Sequence, residues 1–326
     1  MKNFLVNLLK IVITVAIILF LFSRVDLDVM FQHLARANGW LLLLALALYF
    51  VAIFLGVIKW QIVARAQGLP ASFITLSIYS LVGLFFGNLL PSNVGGDVVR
   101  AYGLARGSNR TEAAAISVLV DRLMGLFAFL GAAMVMAVLA AFTLTRGAEL
   151  EQIEIATVIV AALFLFASAL LFSRRVTQRV KWLFDFAPLR PLRPTATRVY
   201  DALQVYRFSY RALALNLALS GCIVIVTTFV WYAVALALGV NTSLFYFFIF
   251  NPLIAFVLLI PISFNGLGPK EATAVFFFGL VGVPGEITLS MSLIFHLIVV
   301  LTSLPGGLLW WHERSLAPPT APNQQN

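Results

Sequence analysis

Six apolar stretches, at about 4–22, 40–58, 113–143, 155–173, 212–238 and 287–311, dominate this 326-residue chain. Each approaches or exceeds the roughly 20 residues that a helix needs to cross the hydrocarbon core of a bilayer. Inside lipid no water satisfies the backbone, so every N–H and C=O must be paired within the protein. The composition points the same way: 62% of residues are hydrophobic and 11% are charged, against about 25% charged in a soluble domain. A fold of this length cannot hide so much apolar surface behind so few charges, which excludes the soluble-enzyme class. The expected fold is all-α, a polytopic transmembrane helix bundle.

Two further apolar stretches, about 73–90 and 244–260, each run into a proline- and glycine-rich segment. The first continues as Leu90-Pro91-Ser92-Asn93-Val94-Gly95-Gly96-Asp97. The second continues as Pro261-Ile262-Ser263-Phe264-Asn265-Gly266-Leu267-Gly268-Pro269-Lys270-Glu271. Charge decides how they are read. The longest polar loop, 174–211, carries nine arginines and lysines against Asp185 and Asp201, and cytoplasmic loops are the basic ones. With that loop inside, the loop around Glu149, Glu151 and Glu154 falls outside and the one with Arg100, Arg106 and Arg110 falls inside. Lys2, Lys10, Lys59 and Arg65 join the inside only if 73–90 enters and leaves on the same face. Carried forward, 244–260 dips in from the opposite face and Arg314 returns to the cytoplasm. The expectation is therefore about six full spans plus two re-entrant hairpins in an inverted repeat, the arrangement that marks a transporter site near the midplane.

One transmembrane domain is expected over 1–316. Its halves, about 1–173 and 212–316, are joined by the basic segment 174–211, whose interleaved aromatics suggest amphipathic helices on anionic lipid. The proline- and Gln/Asn-rich tail 317–326 is expected to be disordered. Residues 1–22 lack a small-residue cleavage pattern and are read as an uncleaved first span. The termini are placed in the cytoplasm and the protein in the bacterial inner membrane. The net charge of +9 fits anionic lipid. Nucleic acid is not an expected partner, because the basic residues build no polar module. Cys222 is the only cysteine, so no disulfide forms within the chain, and the three histidines have no second ligand at metal spacing. No cofactor is expected.

The chemistry is expected at the two hairpins. Gly95 and Gly96 let the backbone take positive φ and approach a ligand closely. Ser92 or Asn93 can cap the next helix, whose free N–H groups favour a phosphate. Arg100 is placed to clamp that phosphate with both terminal nitrogens, and Asp97 to pair with Arg100 across i,i+3. In the second hairpin Gly266 and Gly268 free the backbone, Ser263 and Asn265 supply polar groups, and Lys270 and Glu271 supply both signs. Consecutive helical side chains diverge by about 100°, so those two are expected to find different partners, one of them facing the first hairpin. Asp121 and Arg122 sit inside an apolar helix, where ionisable groups face a cavity or a partner; Arg122 is also close enough to the cytoplasmic surface to reach it. His296 is read as a buried structural histidine. Asp26-Leu27-Asp28 has the form some sugar-nucleotide transferases use to hold a metal, and a polar external loop explains it as well.

These residues carry a resemblance. Gly87-Asn88-Leu89-Leu90-Pro91-Ser92 with Gly95, Gly96, Asp97 and Arg100, then Asp121-Arg122, then Pro261-Ile262-Ser263 with Gly266, Gly268 and Glu271, resemble the lysylphosphatidylglycerol synthase transmembrane-region family. That family includes the flippase half of the bacterial multiple peptide resistance factor and stand-alone members linked to lipid or hopanoid transport. The resemblance covers nearly the whole chain and implies a lipid translocase fold with its site between the hairpins. Two-part members carry a soluble aminoacyl-transferase domain after the membrane part; this sequence ends at Asn326, so the flippase module without lysyl transfer is expected. Lys270 departs from the family pattern. The function implied is non-enzymatic translocation of an anionic phospholipid or an isoprenoid- or hopanoid-type lipid, with lipid headgroups as the partners. No G-x-x-x-x-G-K-[ST] motif offers nucleotide energy. The alternatives are a membrane-embedded transferase acting on a lipid-linked substrate and an accessory subunit of an envelope-biogenesis complex, and a homo-oligomer stays open.

Overall fold

The computed structural model describes residues 27–89, 95–143, 162, 206, 209–257 and 267–316. Among them the secondary structure is entirely helical: α1 (Leu27–Ala35), α2 (Gly39–Ala66), α3 (Phe73–Leu89), α4 (Gly95–Ser108), α5 (Thr111–Thr143), α6 (Tyr210–Ala237), α7 (Leu244–Val257), α8 (Pro269–Gly279) and α9 (Gly285–Leu316). Four of these, α2, α5, α6 and α9, are long and apolar enough to cross a membrane. They match the expected spans 40–58, 113–143, 212–238 and 287–311. The expected spans 4–22 and 155–173, the acidic loop around Glu149, all of 174–211 before Ser209 except Tyr206, and the tail 317–326 lie outside the described residues.

The helix ends follow from local chemistry. Asn38 caps α2, its side chain accepting from the N–H groups of Trp40 and Leu41 at 3.0 and 3.4 Å. The chain leaves α2 through Gly68 at φ 67°, and Leu69 N–H returns to Ala64 O. Gly239, at φ 81°, does the same after α6. A β-carbon at that backbone geometry is disfavoured, which is why glycine occupies both turns.

α3 and α4 form a hairpin. Gly83 lies against Gly96 and Tyr79 against Gly103, so the two helices run antiparallel. The hairpin returns to its starting level, because Arg110, just beyond α4, donates to the carbonyls of Gln67 and Gly68, just before α3, at 3.1 and 3.3 Å. α7 and α8 form a second hairpin. Phe247 and Phe250 of α7 meet Phe278 near the end of α8, with ring centres 4.9 and 5.1 Å apart.

The order long helix, hairpin, long helix therefore occurs twice, as α2–α5 and as α6–α9. The first helix of each unit has 28 residues, and the last has 33 in one and 32 in the other. The units are inverted. Asn38 N–H donates to Ala237 O at one end of the α2–α6 pair, and Asn216 Nδ2 donates to Lys59 O toward the other. α2 and α6 are thus antiparallel, and the hairpins that follow them start from opposite ends. That is the inverted order expected from the charges.

Lipid offers no hydrophobic incentive for helices to associate, so close packing and buried hydrogen bonds must hold them. Gly83 and Gly96 bring the backbones of α3 and α4 together, and a β-carbon on Gly83 would lie 2.7 Å from Gly96 O. Gly306 of α9 crosses α3 against the backbone of Leu81. Gly95 and Gly96 are helical and are not among the positive-φ positions. Their expected conformational role is thereby corrected: close backbone approach is what requires Gly96. Asn251 beside Pro252 of α7 ties that helix to α6, donating to Thr228 Oγ1 at 2.9 Å and Thr227 Oγ1 at 3.1 Å. Tyr206, fully buried, donates to Val63 O at 2.9 Å and anchors the end of the basic segment to α2.

Replacing Gly306 by Val forces backbone apart, and overpacking of this kind costs about 1–3 kcal/mol. A lowered midpoint of thermal unfolding in detergent is expected for Gly306→Val. Gly221→Ala in α6, where a β-carbon meets nothing within 4 Å, should leave the midpoint unchanged or raise it.

Candidate functional site

Five ionisable residues of the first unit form one alternating chain of charge. Arg122 pairs with Asp97. Asp97 also pairs with Arg100 at 3.3 Å, Arg100 with Asp121 at 3.1 Å, and Asp121 with Lys59 at 2.9 Å. Each carboxylate bridges two cations, and three cations share two carboxylates. The chain joins α5 to α4, α4 back to α5, and α5 to α2. Asp121, 2% exposed, accepts a further bond at 2.9 Å from Asn216 of α6 and so ties in the second unit. Lys59 Nζ also donates to Asp121 O at 2.9 Å. Gly125, one turn on, leaves room for it: a β-carbon there would sit 3.4 Å from Lys59 Nζ.

Arg100 lies over the ring of Trp60, 4.2 Å from its centre. Trp60 is fully buried and donates from Nε1 to Ser117 Oγ at 3.2 Å, so the shelf under the guanidinium is fixed. Both terminal nitrogens of Arg100 are taken by carboxylates, which corrects the expected two-nitrogen clamp on a phosphate. Its Nε is buried and without a hydrogen-bond partner among the described residues. Ser80 Oγ of α3 is in the same condition.

The charges and these two orphan groups line one cavity of about 580 Å³, within the range of ordinary ligand sites. Its wall draws on both units: Lys59 and Ile53 from α2, Ser80 and Gly83 from α3, Asp97 and Arg100 from α4, Asp121 and Phe129 from α5, and Ala255, Lys270 and Phe295 from α7, α8 and α9. Tyr49 and Lys59, both on the wall, are ten residues apart on α2, which is about 15 Å along a helix at 1.5 Å per residue. Tyr49 meets Phe295 edge to face at 5.8 Å, and Lys270 Nζ lies 5.7 Å from the Phe295 ring centre. The charged chain and Lys270 therefore stand toward opposite ends of the cavity, with apolar wall between them.

In the second hairpin Lys270 and Glu271 pair with each other, at 3.1 Å. The expectation of separate partners, one across the cavity, is corrected: among the described residues no ion pair joins the hairpins. The reason is the helix start. Gly268, at φ 90°, and Pro269 open α8, and Glu271 folds back to accept from Gly268 N–H at 2.7 Å. Ser292 Oγ donates to its other oxygen at 3.1 Å. The four-carbon stem of Lys270 then spans the angular gap to that fixed carboxylate. Lys270 lines the cavity while Glu271, 1% exposed, stands behind it.

Of the residues expected at the site, Gly96, Asp97, Arg100, Asp121, Arg122 and Lys270 line this cavity. Gly95 and Gly268 hold helix starts, and Glu271 holds Lys270. Ser92, Asn93, Ser263, Asn265 and Gly266 lie outside the described residues. Arg122 pairs with Asp97. His296, expected as a structural histidine, is half-buried on the cavity wall beside Phe295. Asp28 is exposed on α1 and is not part of that wall, and Asp26 lies outside the described residues. Lys59 and Asn216 were not legible as site residues. The available signal was a polar residue inside an apolar run, and both have it.

The family model described as "Lysylphosphatidylglycerol synthase TM region" matches residues 7–306. The chain belongs to that family. It is 27% identical over 283 residues to a UPF0104 membrane protein of Methanothermobacter thermautotrophicus, covering 81% of this chain and 82% of the relative. No solved structure matches the chain.

Removing the Asp121 carboxylate leaves Lys59 and Arg100 buried with too little counter-charge, and breaking such a pair costs about 3–5 kcal/mol. Asp121→Ala should therefore lower the unfolding midpoint sharply. Adding Lys59→Met should restore part of the loss, a positive coupling that a double-mutant cycle of unfolding measurements would read out.

Proposed function

We propose that this chain, as a member of that membrane family, is a lipid translocase that carries the headgroup of an anionic or isoprenoid- or hopanoid-type lipid across the cytoplasmic membrane. The observation that supports this reading best is a cation-rich cavity of about 580 Å³ walled by both inverted units, between helices of membrane-spanning length.

The physical problem of moving a lipid is its headgroup. A bare charge in hydrocarbon is expensive, while the tails are at home throughout. A lined cavity answers the first half of the problem, and the tails stay in the bilayer. Inverted units starting from opposite ends supply the pseudo-symmetry that lets one cavity open to either face by rocking one unit against the other. Translocation in this scheme makes and breaks no covalent bond. The charged chain around Arg100 receives the headgroup, and Lys270 stands further along the same wall. With the basic end of α2, Arg106 in the last turn of α4 and Arg110 just beyond it in the cytoplasm, the Arg100 end is the inner one.

Reconstituted in proteoliposomes, the protein should exchange fluorescent phosphatidylglycerol between leaflets faster than protein-free vesicles. Arg100→Ala and Glu271→Ala, judged folded by a monodisperse elution profile, should each slow exchange by about tenfold or more, the scale on which losing one buried charge partner acts. Wild-type protein that accelerates neither phosphatidylglycerol nor a neutral lipid would contradict the reading. Lipid-linked transferase activity would then be the next assay.

A further inference from the structure

We infer that Ser80 of α3 and the Nε of Arg100 on α4 form a subsite for the oxygens of a phosphate group, with Ser80 a headgroup-binding residue of the cavity. The inference rests on the translocase reading and adds a residue to its site.

The hydroxyl of a helical serine or threonine has an easy partner, the carbonyl one turn back. Ser77, three residues earlier on the same helix, donates to Phe73 O at 2.8 Å. Ser220, Thr228 and Thr302 do the same at 2.8, 2.8 and 2.9 Å. Ser80 Oγ, in the middle of α3, is buried and makes no such bond. Thr288 Oγ1 shares that state but is not on the cavity wall, whereas Ser80 is. A buried hydroxyl without a partner is destabilising, so its place on a cavity wall asks for a partner from outside the chain. As a residue Ser80 is half-buried, and its hydroxyl turns about a single torsion, so reaching the cavity takes one rotamer step.

The second donor stands beside it. A β-carbon on Gly83 would lie 2.8 Å from Arg100 Cγ and 3.3 Å from Cδ, so the stem of Arg100 crosses α3 at Gly83. Ser80 lies three residues before Gly83, and helical residues three apart are neighbours on one face, with about 5–6 Å between their β-carbons. Nε is the next atom after Cδ, which puts it within about one helical turn of Ser80 on that face. It too is buried without a hydrogen-bond partner. Its position is fixed, because Asp97 at 3.3 Å, Asp121 at 3.1 Å and the Trp60 ring at 4.2 Å hold the guanidinium. Two neighbouring donors, one of them cationic, suit oxygens carried on a single anionic centre, as in a phosphate. A headgroup that offers hydroxyls alone lacks the charge that strengthens such bonds.

The test is calorimetric titration of the purified full chain in uncharged detergent with three probes. They are dioctanoyl phosphatidylglycerol, dioctanoylglycerol, which lacks the phosphate, and inorganic phosphate, which lacks the lipid. Wild type should bind phosphatidylglycerol more tightly than either of the others. Ser80→Ala should weaken that binding about tenfold or more, the scale of one hydrogen bond to a charged group, and leave dioctanoylglycerol unaffected. Ser77→Ala removes a hydroxyl already satisfied by its own helix and should change neither. Arg100→Lys keeps a cation for Asp97 and Asp121 but removes Nε–H, and should weaken phosphatidylglycerol by a similar factor. The unfolding midpoint without lipid separates binding from structure: Ser80→Ala should leave it unchanged or raise it, because an unpartnered buried hydroxyl is lost. If Arg100→Lys does not fold, Ser80→Ala decides alone. Either variant binding phosphatidylglycerol as tightly as wild type overturns the subsite and leaves the translocase reading standing. So does weakened binding that comes only with a lowered midpoint for Ser80→Ala, or dioctanoylglycerol bound as tightly as phosphatidylglycerol. Inorganic phosphate bound at least as tightly as the lipid, and weakened by Ser80→Ala, keeps the subsite and overturns the lipid assignment. No binding of phosphatidylglycerol or phosphate to folded wild type overturns both.

Discussion

Asp121 is the point on which the rest of this molecule depends. Its carboxylate touches Lys59 of α2, Arg100 of α4 and Asn216 of α6 while standing on α5 itself. One buried group thus joins three helices of the first unit to the leading helix of the second. A carboxylate in a spanning helix is expensive, and it is retained only where partners enclose it. Here the partners are long cations whose apolar stems cross the helix interfaces and whose charged ends meet at one spot. The arrangement fixes how α2, α5 and α6 pack and where the hairpin of α3 and α4 sits against them. It also leaves positive charge facing a cavity.

The hairpins do complementary work. In the first, Gly83 and Gly96 let two backbones touch, and Gly306 lets α9 cross close by at Leu81. Close approach on one side of α3 and α4 holds Arg100 and Asp97 against α5. In the second, Gly268 and Pro269 start a helix whose first turn traps Glu271 between a backbone N–H and Ser292. That trapped carboxylate aims Lys270 into the cavity. The two units share an architecture but not a chemistry. The first builds a chain of three cations and two carboxylates across three helices, and the second a single pair at one helix start.

The legible part of the structure was the part set by composition and charge. Apolar runs of spanning length placed α2, α5, α6 and α9, with α2 running on to Ala66, well past the expected end at 58. The placement of lysines and arginines made the α3–α4 segment a hairpin, and the Arg110 contacts with Gln67 and Gly68 bear that geometry out. The i,i+3 pair of Asp97 and Arg100 was readable because it is local. The pairing of Lys59 with Asp121, 62 residues apart, was not, because no periodicity links positions on different helices. Lys59 reads as a marker of membrane orientation, and the sequence does not single out Asn216 within its apolar run. Lys270 and Glu271 were misread for a physical reason. The angular divergence of neighbouring side chains is measured at the β-carbon, whereas the lysine ammonium lies four bonds further out and can swing back to a carboxylate pinned by a helix start.

The proposed translocation requires that the cavity beside Asp121 receive a lipid phosphate. The most direct measurement is an electron cryomicroscopy structure of the protein in nanodiscs containing phosphatidylglycerol. A headgroup phosphate within hydrogen-bonding distance of Arg100 Nε and Ser80 Oγ, with its tails passing out of the cavity into the bilayer, is the predicted result. A cavity filled by side chains or by water alone, with phosphates confined to the membrane surfaces, would contradict it.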